Sequence, residues 1–300
     1  MSDKGKAYIA ATLYACTIGF SFLFVKISLR YAGPLDALAH RFAVAMLFAL
    51  LPLLSGRAKL DATPREIIDI LPLAAFNPVL FFLLQTSGLV FIRSSEAGLI
   101  QATAPVFVLL LGLLFLRERT NGRQVCSMLL SVGGVLFVSV MSREGSGTYD
   151  LRGVLLVVAS TVSFALYTVL ARKFSRRFSV YTLTFFMSLA GFLAFDSLSL
   201  AVRIYSGTIS GFLKPLTSLP YLGAIFFLGG ASSFFSAFFS NYALSKLEAS
   251  GMIVFANLAT LIAVIAGVIF LGEPFGWYHA VGGLAIVLGV LGTNFFGEKQ

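Results

Sequence analysis

The sequence predicts an all-α integral membrane protein whose ten transmembrane helices form two inverted five-helix repeats. Of its 300 residues, 58% are hydrophobic and only 12% are charged, whereas a soluble domain carries about 25% charged residues. The apolar residues form continuous runs, such as Val106 to Leu116, and not the alternating pattern of barrel strands. Since backbone groups in lipid must be bonded within the protein, such runs indicate helices. A similarity between the two halves of the chain predicts the repeat.

Ten apolar runs are long enough to cross a bilayer, which requires about 20 mostly apolar residues. Turn-forming residues separate them, for example Gly33-Pro34 and Thr63-Pro64. The predicted spans cover residues 7–29, 35–54, 67–92, 94–116, 124–141, 153–173, 179–202, 218–244, 249–271 and 277–296.

Basic residues predict the orientation of the chain. The net charge of +9 comes from Lys and Arg residues in the short loops, and most of the 22 lie on one side of the membrane if the N-terminus is cytoplasmic. Because cytoplasmic loops carry an excess of Lys and Arg, we expect both termini and the loops 55–66, 117–123 and 174–178 to be cytoplasmic. Without an organellar transit pattern, we expect a bacterial or archaeal plasma (inner) membrane, with lipid and not nucleic acid as the partner of the basic charge.

The second half of the chain repeats features of the first. An offset of 155 residues carries Glu118 onto Glu273, and an offset of 146 applies nearer the start of each half. Five spans are an odd number, so the second repeat enters the membrane from the opposite side, as in many transporters with inverted repeats. The predicted repeats are residues 1–147 and 148–300.

Several short motifs follow one another in this layout: Arg41 in the second span, Ala104-Pro105-Val106 in the fourth, Gly272-Glu273-Pro274 after the ninth, and glycines in the fifth and tenth spans. In this order they resemble the EamA family of the drug/metabolite transporter superfamily, over essentially the whole chain. The resemblance implies a secondary transporter that exports amino acids or related metabolites by alternating access. The chain is similar to YddG-type exporters of aromatic and neutral amino acids, and equally to their relatives.

Polar side chains share one face of the first span and recur in the sixth. Tyr14, Thr17 and Ser21 fall at helical spacing, and the offset of 146 residues places Ser163 and Tyr167 on the corresponding face of the sixth span. We expect Tyr14, Ser21, Ser163 and Tyr167 to bind substrate along a polar path. Hydrogen bonding between helices, which such residues commonly provide in membranes, is the alternative.

Further candidates lie deep in other spans. Asn77-Pro78 interrupts the third span, because proline removes a helical hydrogen bond, and exposed backbone is tolerated where it lines a cavity. The amides of Gln101 and Asn257 should face the bundle interior, since an unpaired amide in hydrocarbon costs several kcal/mol, roughly. Ser236 belongs to serines at four-residue spacing in the eighth span. We expect all four to contact substrate, with helix packing as the alternative.

Charged residues within spans require partners. Arg41 and Glu96 lie at comparable depth, so we expect them to form a structural ion pair; Asp36 is the local alternative, and a substrate carboxylate is another. Glu118 and Glu273 lie at helix ends, where each is expected to cap the following helix.

The predicted function is therefore export of a small neutral or zwitterionic metabolite. A cationic-drug or polyamine exporter is the alternative, although it needs an acidic residue in the cavity, and a non-transporting sensor or scaffold is a third hypothesis. The two histidines, His40 and His279, are far apart, so no metal site, cofactor or enzymatic activity is expected. The oligomeric state stays open between monomer and dimer.

Overall fold

A computed structural model shows the fold as a helical bundle. It describes residues 3–61, 64–116, 121–146, 150–174, 178–244 and 249–296. Seven spans are single helices, the first, second, fifth, sixth, seventh, ninth and tenth: Asp3–Leu29, Pro34–Leu54, Gly122–Ser146, Leu151–Phe174, Val180–Tyr205, Ala249–Leu271 and Trp277–Phe295.

The other three spans are interrupted. The third consists of Pro64–Ala74, a π-helical segment Ala75–Leu80 and Phe81–Phe91; the fourth of Ser94–Gln101 and Ala104–Leu116; the eighth of Leu219–Phe226, a π-helical segment Phe227–Phe235 and Ser236–Leu244. Two short 3-10 turns, Ile209–Gly211 and Lys214–Thr217, connect the seventh span to the eighth.

The described helices have the length and composition of membrane spans. Eight of them are long and apolar enough to cross a bilayer, and two shorter apolar helices, Leu258–Leu271 and Trp277–Thr293, lie in the ninth and tenth spans. Large apolar side chains such as Leu114, Ile269 and Leu284 are exposed on the outside of the bundle, which is favourable in lipid and costly in water. The predicted all-α membrane fold is confirmed.

The packing of the spans is symmetric when the two halves of the chain are exchanged. The first span packs against the eighth and ninth, and the sixth packs correspondingly against the third and fourth. The second packs against the seventh, and the fifth against the tenth. We call spans one, eight and nine the 1-8-9 bundle, and spans three, four and six the 3-4-6 bundle. The two bundles meet mainly where the fourth span contacts the ninth.

Two glycines at equivalent positions permit the close contact between the fifth and tenth spans. A Cβ at Gly134 would lie 2.8 Å from the carbonyl oxygen of Gly282, and one at Gly289 would lie 2.6 Å from that of Ser127. Both distances are too short for a real carbon atom, so the backbones approach in a way that only glycine allows. The offset of 155 residues relates Gly134 to Gly289, and their equivalent contacts agree with a duplicated fold.

Candidate functional site

The break in the third span lies where the sequence predicts it. Asn77 has non-helical backbone angles, φ −142° and ψ 117°, and Pro78 after it provides no N–H. The Ser163 hydroxyl, in the sixth span, donates to the carbonyl oxygen of Phe76 at 2.8 Å. Ser163 therefore satisfies the backbone at the break, and it joins two spans of the 3-4-6 bundle. The side chain of Asn77 is half-buried beside it.

Gln101 also has a partner inside the bundle. Its Oε1 accepts from Nε2 of the buried Gln85 at 3.2 Å, so one end of the amide holds the fourth span to the third. The helix is interrupted directly after Gln101 and resumes at Ala104. Gln101 itself remains half-buried, and thus sits at a second irregular point of the same bundle.

Two hydroxyls of the predicted polar path, and that of Ser236, donate to their own helices. Ser21 donates to the carbonyl oxygen of Ile18 at 2.6 Å, Thr17 to that of Leu13 at 2.7 Å, and Ser236 to that of Ser232 at 2.6 Å.

The two tyrosines of the path differ from these serine and threonine residues, because a tyrosine hydroxyl is too far from the backbone to bond within its own turn. Tyr14 and Tyr167 are half-buried and lie in opposite bundles. Asn257, the remaining predicted ligand, has a side chain outside the described residues.

The predicted ion pair between Arg41 and Glu96 is wrong. Oε2 of Glu96 turns back to accept from the backbone N–H of Arg93 at 3.2 Å, and its Oε1 lies 3.8 Å from the Arg93 guanidinium. It thus caps its own helix at the start of the fourth span. The alternative pair, Arg41 with Asp36, is excluded as well, since Asp36 pairs with Arg203 and accepts from Ser199 at 2.5 Å.

Arg41 points across the repeats toward the eighth span instead. Its Nε donates to the Ser233 hydroxyl at 3.0 Å and its Nη2 to the Ser232 hydroxyl at 3.3 Å. The guanidinium carbon lies 4.1 Å from the centre of the Phe82 ring, a cation–π distance. Arg41 is only 2% exposed, and no carboxylate among the described side chains forms an ion pair with it. Sequence reasoning missed Ser233 and Phe82; the repeat offset, which relates Asn77 to Ser232, was the available signal.

Aromatic rings extend from Arg41 along the third and sixth spans. The centre of the Phe82 ring is 4.7 Å from that of Phe81, which is 5.4 Å from Phe164, and Phe164 is 6.2 Å from Tyr167. These rings lie on the same two spans that meet at the Asn77 break. Arg41, from the second span, thus reaches an aromatic surface of the 3-4-6 bundle through Phe82.

A second contact between the repeats involves Glu273, at the end of the ninth span. Its carboxylate accepts hydrogen bonds from Ser94 and Ser95, at the start of the fourth span. The expectation that Glu273 caps the following helix is therefore wrong: it caps a helix of the other repeat. Glu118 lies outside the described residues. Within the part of the chain that is described, no group of three His, Cys, Asp or Glu residues is placed to hold a metal ion.

Comparison with known proteins places the chain among membrane transporters. The sequence profile of the EamA-like transporter family matches residues 5–140 and 151–295. The uncharacterized transporter YcxC of Bacillus subtilis is 43% identical over 294 residues, which cover 98% of this chain and 94% of that protein. An uncharacterized transporter of Archaeoglobus fulgidus is 30% identical over 287 residues, 95% of this chain and 97% of the other. The uncharacterized transporter YetK of Bacillus subtilis is 25% identical over 301 residues, 98% of this chain and 88% of the other.

Proposed function

The chain belongs to the EamA-like transporter family, so it is a multi-pass membrane transporter and not an enzyme, and we propose that it exports small zwitterionic metabolites. Amino acids with aromatic or other neutral side chains are the foremost candidates. The export proceeds by alternating access between the 1-8-9 and 3-4-6 bundles, around a site near the middle of the membrane.

The observation that carries this proposal is the buried, uncompensated charge of Arg41. Its described partners are two hydroxyls and the phenyl rings of Phe82 and Phe42, whereas a buried charge normally has an opposite charge beside it. At an effective dielectric constant of about 20, a unit charge about 8 Å away interacts with it by about 2 kcal/mol. That interaction repels a cationic drug or a polyamine and attracts a carboxylate. The solute that Arg41 favours therefore carries a carboxylate.

The ammonium group of a zwitterion needs acceptors, and the neighbouring residues provide them. At the Asn77 break the carbonyl oxygen of Phe76 accepts one hydrogen bond from Ser163 and has a second lone pair, and the Asn77 and Gln101 side chains add amide oxygens. Tyr14 and Tyr167 contribute hydroxyls from the two bundles. We assign the serines Ser21, Ser163 and Ser236 a lesser role, as acceptors, because their protons are already donated to the backbone; Asn257 is retained as a ligand on the repeat pattern.

The aromatic rings from Phe82 to Tyr167 favour a solute with an apolar or aromatic side chain. Aromatic pairs add about 0.5–1.5 kcal/mol beyond the burial of their surface. A small polar solute would gain nothing from this surface. The rings therefore support a YddG-like preference for aromatic and other neutral amino acids.

A single assay separates these substrate classes. The purified protein is reconstituted in liposomes loaded with labelled phenylalanine, leucine, glutamate, putrescine or a cationic dye, and efflux is followed. We expect phenylalanine and leucine to leave faster than from protein-free liposomes. Efflux of putrescine or the dye alone would replace the proposal by the cation exporter, and efflux of none of them would support a sensor or scaffold.

The proposed orientation places both termini in the cytoplasm of the cell, and it can be tested separately from transport. Lys59 lies in an exposed loop after the second span, on the proposed cytoplasmic side, and Lys214 is exposed between the seventh and eighth spans, on the other side. In intact cells, a membrane-impermeant thiol reagent should modify Lys214→Cys and leave Lys59→Cys unmodified. The reverse pattern would invert the topology.

A further inference from the structure

We propose that Glu273, Ser94 and Ser95 form a releasable latch that holds the external ends of the two bundles together. The latch rests on the proposed alternating access, and it adds the specific contact that must break before solute can leave on the external side. Its residues come from opposite repeats and opposite bundles: the serines begin the fourth span, and Glu273 follows the ninth.

Four hydrogen bonds converge on this one carboxylate. Oε1 of Glu273 accepts from the backbone N–H of Ser94 at 2.7 Å and from its hydroxyl at 2.8 Å. Oε2 accepts from the backbone N–H of Ser95 at 3.0 Å and from its hydroxyl at 2.7 Å. The first N–H groups of a helix lack partners within it and carry partial positive charge. Glu273 thus satisfies two of these groups, and both serine hydroxyls, with a charge of the favourable sign.

The backbone around Glu273 is shaped for this contact. A Cβ at Gly267 would lie 2.4 Å from Oε2 of Glu273 and 2.6 Å from the Ser94 hydroxyl, so only glycine leaves room for both groups. Gly272 adopts φ +66°, in the left-handed region that favours glycine, and it turns the chain so that the N–H of Glu273 donates back to the carbonyl oxygen of Gly267 at 3.2 Å.

An apolar seal lies directly below the latch and joins the same two bundles. Phe22 and Ala263 contribute to it from the 1-8-9 bundle, and Leu89, Ala97 and Val154 from the 3-4-6 bundle. All five are buried. Apolar contacts are not directional, so this seal alone does not fix how the two bundles are positioned against each other. Hydrogen bonds are directional, and those of the latch therefore determine that the external ends of the bundles stay together.

The sequence repeats the latch residues at the opposite ends of the same spans. The offset of 155 residues relates Glu273 to Glu118, Gly267 to Gly112 and Ser95 to Ser250. Glu118 and the Ser250 side chain lie outside the described residues, so this counterpart rests on the sequence. In an inverted repeat the second set faces the cytoplasm, and a rocking mechanism that closes one side opens the other. Two equivalent latches, formed alternately, would keep the two end states close in free energy.

The test measures opening of the external side by thiol accessibility, with no solute present. The reporter is Ala97→Cys, at a position that is 0% exposed within the seal, in a protein whose native Cys16 and Cys126 are replaced by alanine. A membrane-impermeant thiol reagent is added outside, and labelling rates are compared for the reporter alone and with Glu273→Gln. Glu96→Gln is the matched control. That carboxylate lies in the same helical turn as Ser94 and Ser95, but it bonds only within its own bundle.

We expect Glu273→Gln to raise the labelling rate about ten-fold, because one amide cannot accept all four hydrogen bonds; this factor corresponds to about 1.4 kcal/mol. Ser95→Ala should raise the rate less, and Glu96→Gln should leave it unchanged. Unchanged labelling in Glu273→Gln would overturn the latch in favour of a permanent cap. If that variant does not fold, Ser95→Ala decides in the same way. Since no solute is used, a failed amino-acid efflux assay would refute the proposed function and leave this result interpretable.

Discussion

Replacing Arg41 with methionine should separate the role of this side chain in transport from its role in folding. Methionine fills similar volume and removes the charge. Two hydrogen bonds to Ser232 and Ser233 are lost, and interhelical hydrogen bonds in membranes contribute about 0.6 kcal/mol each on average. Replacing a buried ion pair by apolar side chains is often neutral or stabilising by about 1–4 kcal/mol, because the cost of desolvating the charges is removed; removing the buried charge of Arg41 removes a cost of the same kind. Because these effects oppose each other, we expect the free energy of unfolding to change by less than about 2 kcal/mol.

Transport should change far more than stability. A hydrogen bond to a charged group contributes about 1.5–3 kcal/mol, which corresponds to roughly 10- to 150-fold in affinity. Arg41→Met should therefore weaken binding of a carboxylate-bearing solute by that factor. The measurement is the concentration dependence of phenylalanine uptake into proteoliposomes, compared with phenylalaninamide. The amide lacks the carboxylate, so its binding should not weaken in Arg41→Met; it should strengthen, because the charge that repels its ammonium group is gone.

Arg203→Met provides the opposite control. Arg203 has a carboxylate partner, Asp36, which is only 7% exposed, so its removal leaves a charge without compensation. We expect a loss of about 1–3 kcal/mol in stability, between the values for exposed and buried pairs, with transport per folded molecule unchanged. If Arg41→Met were the variant that unfolds, while its folded fraction bound phenylalanine normally, Arg41 would be a structural strut and the substrate argument would be refuted.

Three further predictions follow from individual contacts. Gly134→Ala should destabilise the protein by about 1–3 kcal/mol through overpacking, whereas Gly133→Ala, whose Cβ meets open space, should not lower the Tm. Asn77→Ala should strongly slow phenylalanine efflux with a Tm near that of the wild type. Gln101→Ala should slow efflux as strongly but also lower the Tm, because the buried Gln85 loses its acceptor; normal efflux in both would move the site elsewhere. Hydrogen bonds from hydroxyls at the start of the seventh span hold the pKa of Asp61 below its usual value. Its stabilising effect is therefore present at neutral pH and lost below about pH 4, so Asp61→Asn should lower the Tm at pH 7 and match the wild type in acid.

The spans and the break at Asn77 were predictable because their causes are local. Apolar run length decides whether a helix can cross a membrane, and proline removes its own N–H wherever it stands. The π-helical segment Phe227–Phe235 has no such mark, since it contains no proline. It packs against the second span, a contact that the sequence alone does not reveal.

The partners of charged residues were not predictable for a related reason. Arg41 and Glu96 were matched by depth, but depth does not specify which face of a helix meets which neighbour. Arg41 in fact bonds to the other repeat, and so does Glu273. Both contacts cross between halves of the chain, because each half packs its first span into the other. Membrane depth alone therefore does not identify the partner of a charged residue in such a fold.

The serine and threonine residues show why counting polar residues in membrane spans overestimates the number of substrate ligands. In a medium without water, an unbonded hydroxyl is costly, and a short side chain on a helix can donate to a carbonyl three or four residues earlier. Thr17, Ser21 and Ser236 do this. The guanidinium of Arg41, at the end of a longer side chain, donates instead to two hydroxyls of the eighth span. Candidate ligands in spans of this kind are therefore better ranked by the reach of the side chain than by its polarity.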